Sequence, residues 1–431
     1  MKLAGATPAE KGWFMSNGKL PLDHRPALHP PTEVLTRGFD PLLSVGSARP
    51  AVFRSSTYVF SSPEAAEAAF NKMAGREALA PGERVDLIYS RFNHPNAEIT
   101  EDQIVPLEMG AQAALVFNSG MAAIMTALMA HLRPGDALIY TVPVYGGTQH
   151  LIEDFLTPWG IRGVPVVAGQ TAAMEEAILA TSGLRVVLLE SPANPTLVMS
   201  DIARAAAAAH SRGALVMVDN TFMGPAFQHP LRLGADLVLY SATKYLGGFS
   251  DLLAGVVLAR DPQLLKPVRS KRSLFGNILP PDESWILNSR LPTVTLRMNK
   301  QSKNAQRIAE ALVTDRRIAK IYYPTLFDDP EQIRIRVAQC EYPGAVFALE
   351  LRGGKTAAFN FLRALRLARN AVSLGGVETL VCHPKSTTHS GFSEEACQLA
   401  GVTDGLVRVS VGIEDWRDLV ADFRQALEAA S

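Results

Sequence analysis

A chain of 431 residues exceeds one ordinary single-core domain and, at about 100–200 residues per domain, predicts two or three. Hydrophobic residues at 47% against 19% charged exclude a disordered chain, and 42 basic side chains cancel 42 acidic ones, so no net field recruits nucleic acid or an acidic membrane. Three cysteines without a Cys-x-x-Cys pair exclude a disulfide framework and argue against zinc, leaving a small molecule as the expected partner.

Met1–Leu20 mixes Lys2, Glu10, Lys11 and Lys19 with single apolar residues and has no signal-peptide core. No uncharged apolar run of about 18 residues occurs, so no membrane span is expected and the cytoplasm is the expected compartment. The first forty or so residues, with Pro21, Pro26, Pro30 and Pro31, read as an extended arm, and 71–88 as a surface loop. From about 111 to 260 short apolar runs predict strands at Ala113–Phe117, Ala137–Tyr140, Gly163–Val167, Val186–Leu189, Leu215–Val218, Leu237–Tyr240 and Ala254–Leu258. Helices are predicted between them at Ala122–Leu132, Thr148–Leu156 and Ile202–Ser211. Such alternation implies an α/β unit whose mainly parallel sheet is covered on both faces and binds ligands beyond the carboxyl ends of its strands. After Thr293 a long helix (Leu296–Thr314) leads to strands at Ile318–Tyr323, Ala345–Leu351 and Val407–Val411, with helices near Thr356–Leu365 and Trp416–Ala430. This is the pattern of a smaller α+β domain.

Polar clusters follow several of these strands. In Ser241-Ala242-Thr243-Lys244-Tyr245-Leu246-Gly247-Gly248 a lysine stands between hydroxyls and glycines, which suits a Schiff-base amine beside a phosphate. Alone, it reads more readily as a surface lysine after a strand. Asp219 ends another strand; it could cap a helix, or keep a pyridine nitrogen protonated as pyridoxal phosphate (PLP) chemistry requires. Asn118-Ser119-Gly120-Met121 joins a strand to a helix and offers backbone N–H groups to an anion. Tyr145, in Pro143-Val144-Tyr145-Gly146-Gly147-Thr148, is either a core tyrosine or a ring stacked on a cofactor.

With these, Tyr89-Ser90-Arg91, Glu190-Ser191-Pro192-Ala193-Asn194-Pro195-Thr196, Val218-Asp219-Asn220-Thr221, Ser373-Leu374-Gly375-Gly376 and Arg408-Val409-Ser410-Val411-Gly412 stand in an order that resembles the Cys/Met-metabolism family of PLP-dependent enzymes. That family includes cystathionine γ-synthase, cystathionine γ-lyase and methionine γ-lyase. The resemblance implies the PLP-dependent transferase fold (aspartate aminotransferase-like, fold type I), with segments at 1–70 (arm and inter-subunit segment), 71–292 (large PLP-binding domain) and 293–431 (smaller α+β domain). It implies that Lys244 carries the Schiff base and shuttles protons, Asp219 pairs with the ring nitrogen and Tyr145 stacks and assists catalysis. Ser119, Gly120, Met121, Ser241 and Thr243 would hold the phosphate, and Tyr89 and Arg91 would reach the phosphate of a neighbouring subunit. A homodimer is therefore the implied active unit, usually paired into a homotetramer. Arg408 would clamp the substrate carboxylate with Asn194 and Ser373.

The chain departs from the family at Asn93-His94-Pro95-Asn96 and at Phe249, where a histidine is common. Gly147 stands where methionine γ-lyases carry a cysteine, and Val372 where cystathionine enzymes carry a glutamate. His383 and His389 with Cys382 are spaced too irregularly for a metal, and no metal site is expected. The reading leans to a carbon–sulfur γ-lyase acting through a β,γ-unsaturated intermediate. The alternatives are cystathionine γ-synthase or a homoserine-ester sulfhydrylase and, more remotely, a non-catalytic PLP-binding protein.

Overall fold

A computed structural model describes residues 28–80 and 85–430; the reading of Met1–Leu20 and the part of the expected loop at 81–84 lie outside the described residues. The described part of the expected arm is not wholly extended. Pro30 and Pro63 each open a helix, α1 (Pro30–Thr36) and α2 (Pro63–Met73), since proline at the first helical position forfeits no intrahelical bond. Ser62 caps α2 by accepting from Ala65 N at 3.2 Å, so the stretch read as a loop from residue 71 begins inside a helical turn. Next comes α3 (Pro95–Ile104), capped by His94, whose Nδ1 accepts from Ala97 N.

The strands β1 (Ala113–Phe117), β2 (Ala137–Val142), β3 (Arg162–Val167), β4 (Leu184–Glu190), β5 (Leu215–Asp219), β6 (Leu237–Ser241) and β7 (Gly255–Ala259) form one sheet in the order β1-β7-β6-β5-β4-β2-β3. Strands β2 to β6 pair in parallel, and β7 runs antiparallel to both β6 and β1. The carboxyl ends of β1, β2, β4, β5 and β6 therefore share one edge. Alternate side chains enter two cores: Val116, Val187, Val216 and Val238 face one, while Leu115, Phe117, Leu188, Leu237 and Leu239 face the other. Helix α4 (Gly120–His131) supplies Ala127 and Leu128 to the second core. A short α5 (Gly146–His150) widens into a π turn at Leu151–Leu156, where a single regular helix is expected. Helices α6 (Thr171–Ala180) and α7 (Ile202–Ser211) cover the first face.

Strand β1 is an edge, and side chains rather than another strand meet the outward backbone groups of its Val116. After α8 (Gly224–Phe227) comes α9 (Leu265–Phe275), whose Arg272 pairs with Glu101 of α3 at 2.6 Å. The same two side chains cap Val116: its N–H donates to Glu101 Oε1 at 3.1 Å, and its carbonyl accepts from Arg272 Nη1 at 2.7 Å. The pair thus occupies the place of an eighth strand.

Helices α10 (Pro281–Arg290) and α11 (Val294–Leu312) lead to the second sheet. It contains β8 (Ile318–Tyr322), β9 (Val346–Leu351), β10 (Arg369–Asn370), β11 (Leu380–Cys382) and β12 (Leu406–Ser410), ordered β10-β11-β12-β9-β8. The first core continues without a break into this region through Ala305, Phe347, Val409 and Phe423. Among the described residues no helix is long and apolar enough to cross a membrane.

Candidate active site

The polar clusters meet at the shared edge. Ser119 caps α4, its Oγ accepting from Ala122 N at 3.0 Å, so the first backbone N–H groups of the helix point outward. Gly120 lies against Ser241, where an added Cβ would stand 2.9 Å from Ser241 Cβ and 3.0 Å from its Cα. Ser241 N donates to Thr221 Oγ1 at 2.9 Å, which ties the end of β6 to the end of β5. Thr243 Oγ1 accepts from Ala254 N at 3.1 Å and fixes the turn that presents Lys244.

Asp219, at the end of β5, accepts from Thr221 N and Thr221 Oγ1, and among the described residues it forms no ion pair. Burial pushes its pKa up. Opposite it in the β4–β5 register lies Glu190, which is buried and whose carboxyl is raised by burial and by the Asp219 charge. This edge therefore holds two carboxyl groups, one buried and one partly so, and among the described residues neither forms an ion pair.

Lys244 Nζ donates to Ser373 Oγ at 2.7 Å. Burial, and then the nearby Arg408 charge, push its pKa down to about 8. Arg408, in β12, donates from Nη1 to Asn194 Oδ1 at 3.2 Å and from Nη2 to the Ser373 carbonyl at 2.6 Å. Ser373 thus touches both cations, and it does so at φ 84°, a left-handed conformation that costs a non-glycine residue about 1–3 kcal/mol. Tyr145 has its ring 47% exposed at the mouth; its N–H donates to Glu190 Oε2 at 2.7 Å. Met121 lies close by, since a Cβ added at Gly147 would stand 2.8 Å from the Tyr145 ring and 3.1 Å from Met121 Sδ. Val372 is half-exposed beside Ser373.

The structure thus gathers Ser119, Gly120, Met121, Tyr145, Asn194, Asp219, Ser241, Thr243, Lys244, Ser373 and Arg408, with Val372 next to them in the chain. Tyr89 and Arg91 stand apart. Their ring contacts are with each other and with Phe92, Arg91 donates to the Ser273 carbonyl, and no hydrogen bond or ring contact of either reaches the Lys244 cluster among the described residues. The two departures from the family pattern are structural here. His94 bonds the Leu279 carbonyl, and Phe249 lies beneath the guanidinium groups of Arg290 and Arg297. His383 bonds Ser386 Oγ and the Asp404 carbonyl, and the described residues contain no group of three or more His, Cys, Asp or Glu side chains placed to hold a metal. Glu190 was not singled out by the sequence, although its position at a strand end opposite Asp219 is the signal that could have found it.

A part-buried carboxylate without an ion-pair partner, a neutralisable part-buried amine in the turn after the adjacent strand and a helix N-terminus beside two hydroxyls fit PLP. Its protonated ring nitrogen would answer Asp219, its phosphate would suit the α4 terminus with Ser241 and Thr243, and its carbonyl would suit Lys244. Fold and site together define the class of PLP-dependent enzymes built on an α/β sheet.

Comparison with known proteins narrows the class. The family model for Cys/Met metabolism PLP-dependent enzymes matches residues 32–428. L-methionine gamma-lyase of Pseudomonas putida is 38% identical over 402 residues, covering 93% of this chain and 97% of that one. Cystathionine gamma-synthase of Escherichia coli (strain K12) is 37% identical over 386 residues, covering 90% and 94%. The crystal structure of cystathionine gamma synthase from Xanthomonas oryzae pv. oryzae in complex with cystathionine superposes with a TM-score of 0.85 at 32% identity, covering 94% and 99%. The chain belongs to the Cys/Met metabolism PLP-dependent enzyme family. It is accordingly a PLP-dependent enzyme of transsulfuration chemistry.

Two outcomes are expected at the cradle. Gly120→Ala forces its Cβ onto the backbone of Ser241, an overpacking of about 1–3 kcal/mol that should weaken PLP binding about tenfold, read by absorbance titration of the apoprotein. Because only the neutral amine adds to a carbonyl, the rate of PLP uptake should rise about tenfold per pH unit up to pH about 8 and then level off. The depressed lysine also means that between about 8 and its ordinary 10.5 the unfolded chain binds more protons than the folded one. Its contribution to stability therefore grows as pH rises through that window.

Proposed function

We propose that this chain is a carbon–sulfur γ-lyase, cleaving methionine or cystathionine with water to 2-oxobutanoate, ammonia and a thiol. When bound, PLP supplies an electron sink that makes the protons on the substrate's α and then β carbons removable. Lys244 Nζ, neutral near pH 8 and steered by Ser373 Oγ, is suited to take and return those protons. Arg408 with Asn194 would receive the substrate carboxylate in a bidentate grip, which orients the remainder of the substrate. Tyr145 would cover the ring from the mouth, and Tyr89 and Arg91 would complete the phosphate site of a second copy. This makes a homodimer the working unit and a homotetramer the expected assembly, in the cytoplasm.

The observation that carries the lyase reading is Val372, 52% exposed in the segment that also supplies Ser373. An apolar side chain there suits a methylthio end or a short acyl-homoserine and offers nothing to a distal ammonium, so of the two lyase substrates it favours methionine over cystathionine. Gly147 favours the second reading, a cystathionine γ-synthase or homoserine-ester sulfhydrylase. Any side chain at that position would push against the Tyr145 ring, so this mouth is shaped without a cysteine. The deciding experiment offers methionine, cystathionine and homocysteine separately and assays 2-oxobutanoate, with O-acetyl- and O-succinylhomoserine plus cysteine run in parallel for cystathionine. Keto acid from methionine is expected. Rapid cystathionine formation with no keto acid from methionine would replace this reading with the synthase.

A further inference from the structure

Glu190 has no place in the chemistry described so far, yet it is the most committed carboxylate at the edge. It is 4% exposed, and its own N–H donates to Thr141 Oγ1 at 2.9 Å, which fixes the strand end. One carboxylate oxygen accepts from Tyr145 N at 2.7 Å, the other from Asn194 N at 3.2 Å. These two amides belong to different loops, one following β2 and one following β4. Among the described residues no cation pairs with Glu190, and Asp219 sits beside it in the register. Burial and the Asp219 charge work against its ionised form, whereas the two N–H donors, one on each oxygen, work for it; a side chain held in this way serves where two acceptors are needed. Tyr145 needs such an anchor, since its phenol makes no hydrogen bond among the described residues and its ring is half-exposed.

We infer that Glu190 is a positioning residue that sets, through one carboxylate, both the backbone carrying the ring-covering tyrosine and the backbone carrying the carboxylate-binding asparagine. The inference rests on the roles given to Tyr145 and Asn194 above. Glutamine at 190 would keep one acceptor but aim an NH₂ at the other backbone N–H. One loop would be released while volume is preserved.

The test uses the full-length PLP-loaded enzyme as wild type, Glu190→Gln, Glu190→Asp, Tyr145→Ala, Asn194→Ala and the double variant Glu190→Gln/Asn194→Ala. In Glu190→Gln, amide exchange in the peptide spanning Tyr145 or in the one spanning Asn194, whichever N–H faces the NH₂, should accelerate at least about tenfold, while peptides of β8 and β9 exchange as in wild type. KM should rise about tenfold, and the double variant should lose less than the product of the single losses. Glu190→Asp keeps the charge but is one methylene short, so it should show the same pattern at smaller amplitude and serves if the glutamine variant does not fold. Wild-type KM and exchange at both amides in a folded Glu190→Gln would overturn the inference, even if its melting temperature fell. Wild-type kinetics in both Tyr145→Ala and Asn194→Ala would instead overturn the roles of those residues, and the inference with them.

Discussion

Lys244→Ala should give a folded, colourless protein whose release of 2-oxobutanoate lies at least about 10⁴-fold below wild type, because one substitution removes both the covalent anchor and the proton carrier. Folding should survive. The buried amine has a single hydrogen bond, to Ser373, and both its burial and the Arg408 charge disfavour its cationic form, so its loss relieves as much as it costs. Borohydride treatment followed by peptide mass analysis should add the cofactor's mass to the Lys244 peptide of wild type and to no peptide of the variant. An equal, borohydride-stable gain in the variant would assign the linkage to another lysine.

The second large effect lies away from the chemistry. Arg272→Met should destabilise the chain by about 2–4 kcal/mol, since it leaves the buried Glu101 with only the part-exposed Arg269, at 3.2 Å, to answer its charge. A simple buried ion pair is often replaced harmlessly when both members become apolar. Here the double change Glu101→Leu/Arg272→Met should remain destabilising by about 1–3 kcal/mol, because the N–H and carbonyl of Val116 then lose both partners. Denaturant midpoints of the three proteins check this. A double variant as stable as wild type would show that Val116 finds other partners.

The strands were readable because buried parallel strands must be short apolar runs between turn-forming residues, and Leu237–Ser241 or Leu215–Asp219 can hardly be anything else. The direction of β7 was not readable, since an apolar run such as Gly255–Ala259 looks the same either way. Helix α3 escaped because it has no apolar stripe. It buries Asn96, Glu98, Glu101 and Gln103, whose reason for being inside is the tertiary partner each one meets. At the site, Lys244, Asp219, Ser119 and Gly120 were legible as strand-end chemistry, while Arg408, Asn194 and Ser373 came from resemblance alone. Glu190 was hidden for a simple reason. Its two partners are backbone amides 45 and 4 residues away, and a sequence does not record backbone hydrogen bonds.

Val372 has a wider implication for how such a protein changes over generations. The groups that suit PLP grow from the packed central sheet, where almost any exchange disturbs a core or a buried charge. Val372 lies outside that sheet, half in solvent and beside the strained Ser373, so exchanging its side chain costs the fold little. On the proposed reading, selection can therefore try new substrates at this one position while leaving the groups that suit PLP intact.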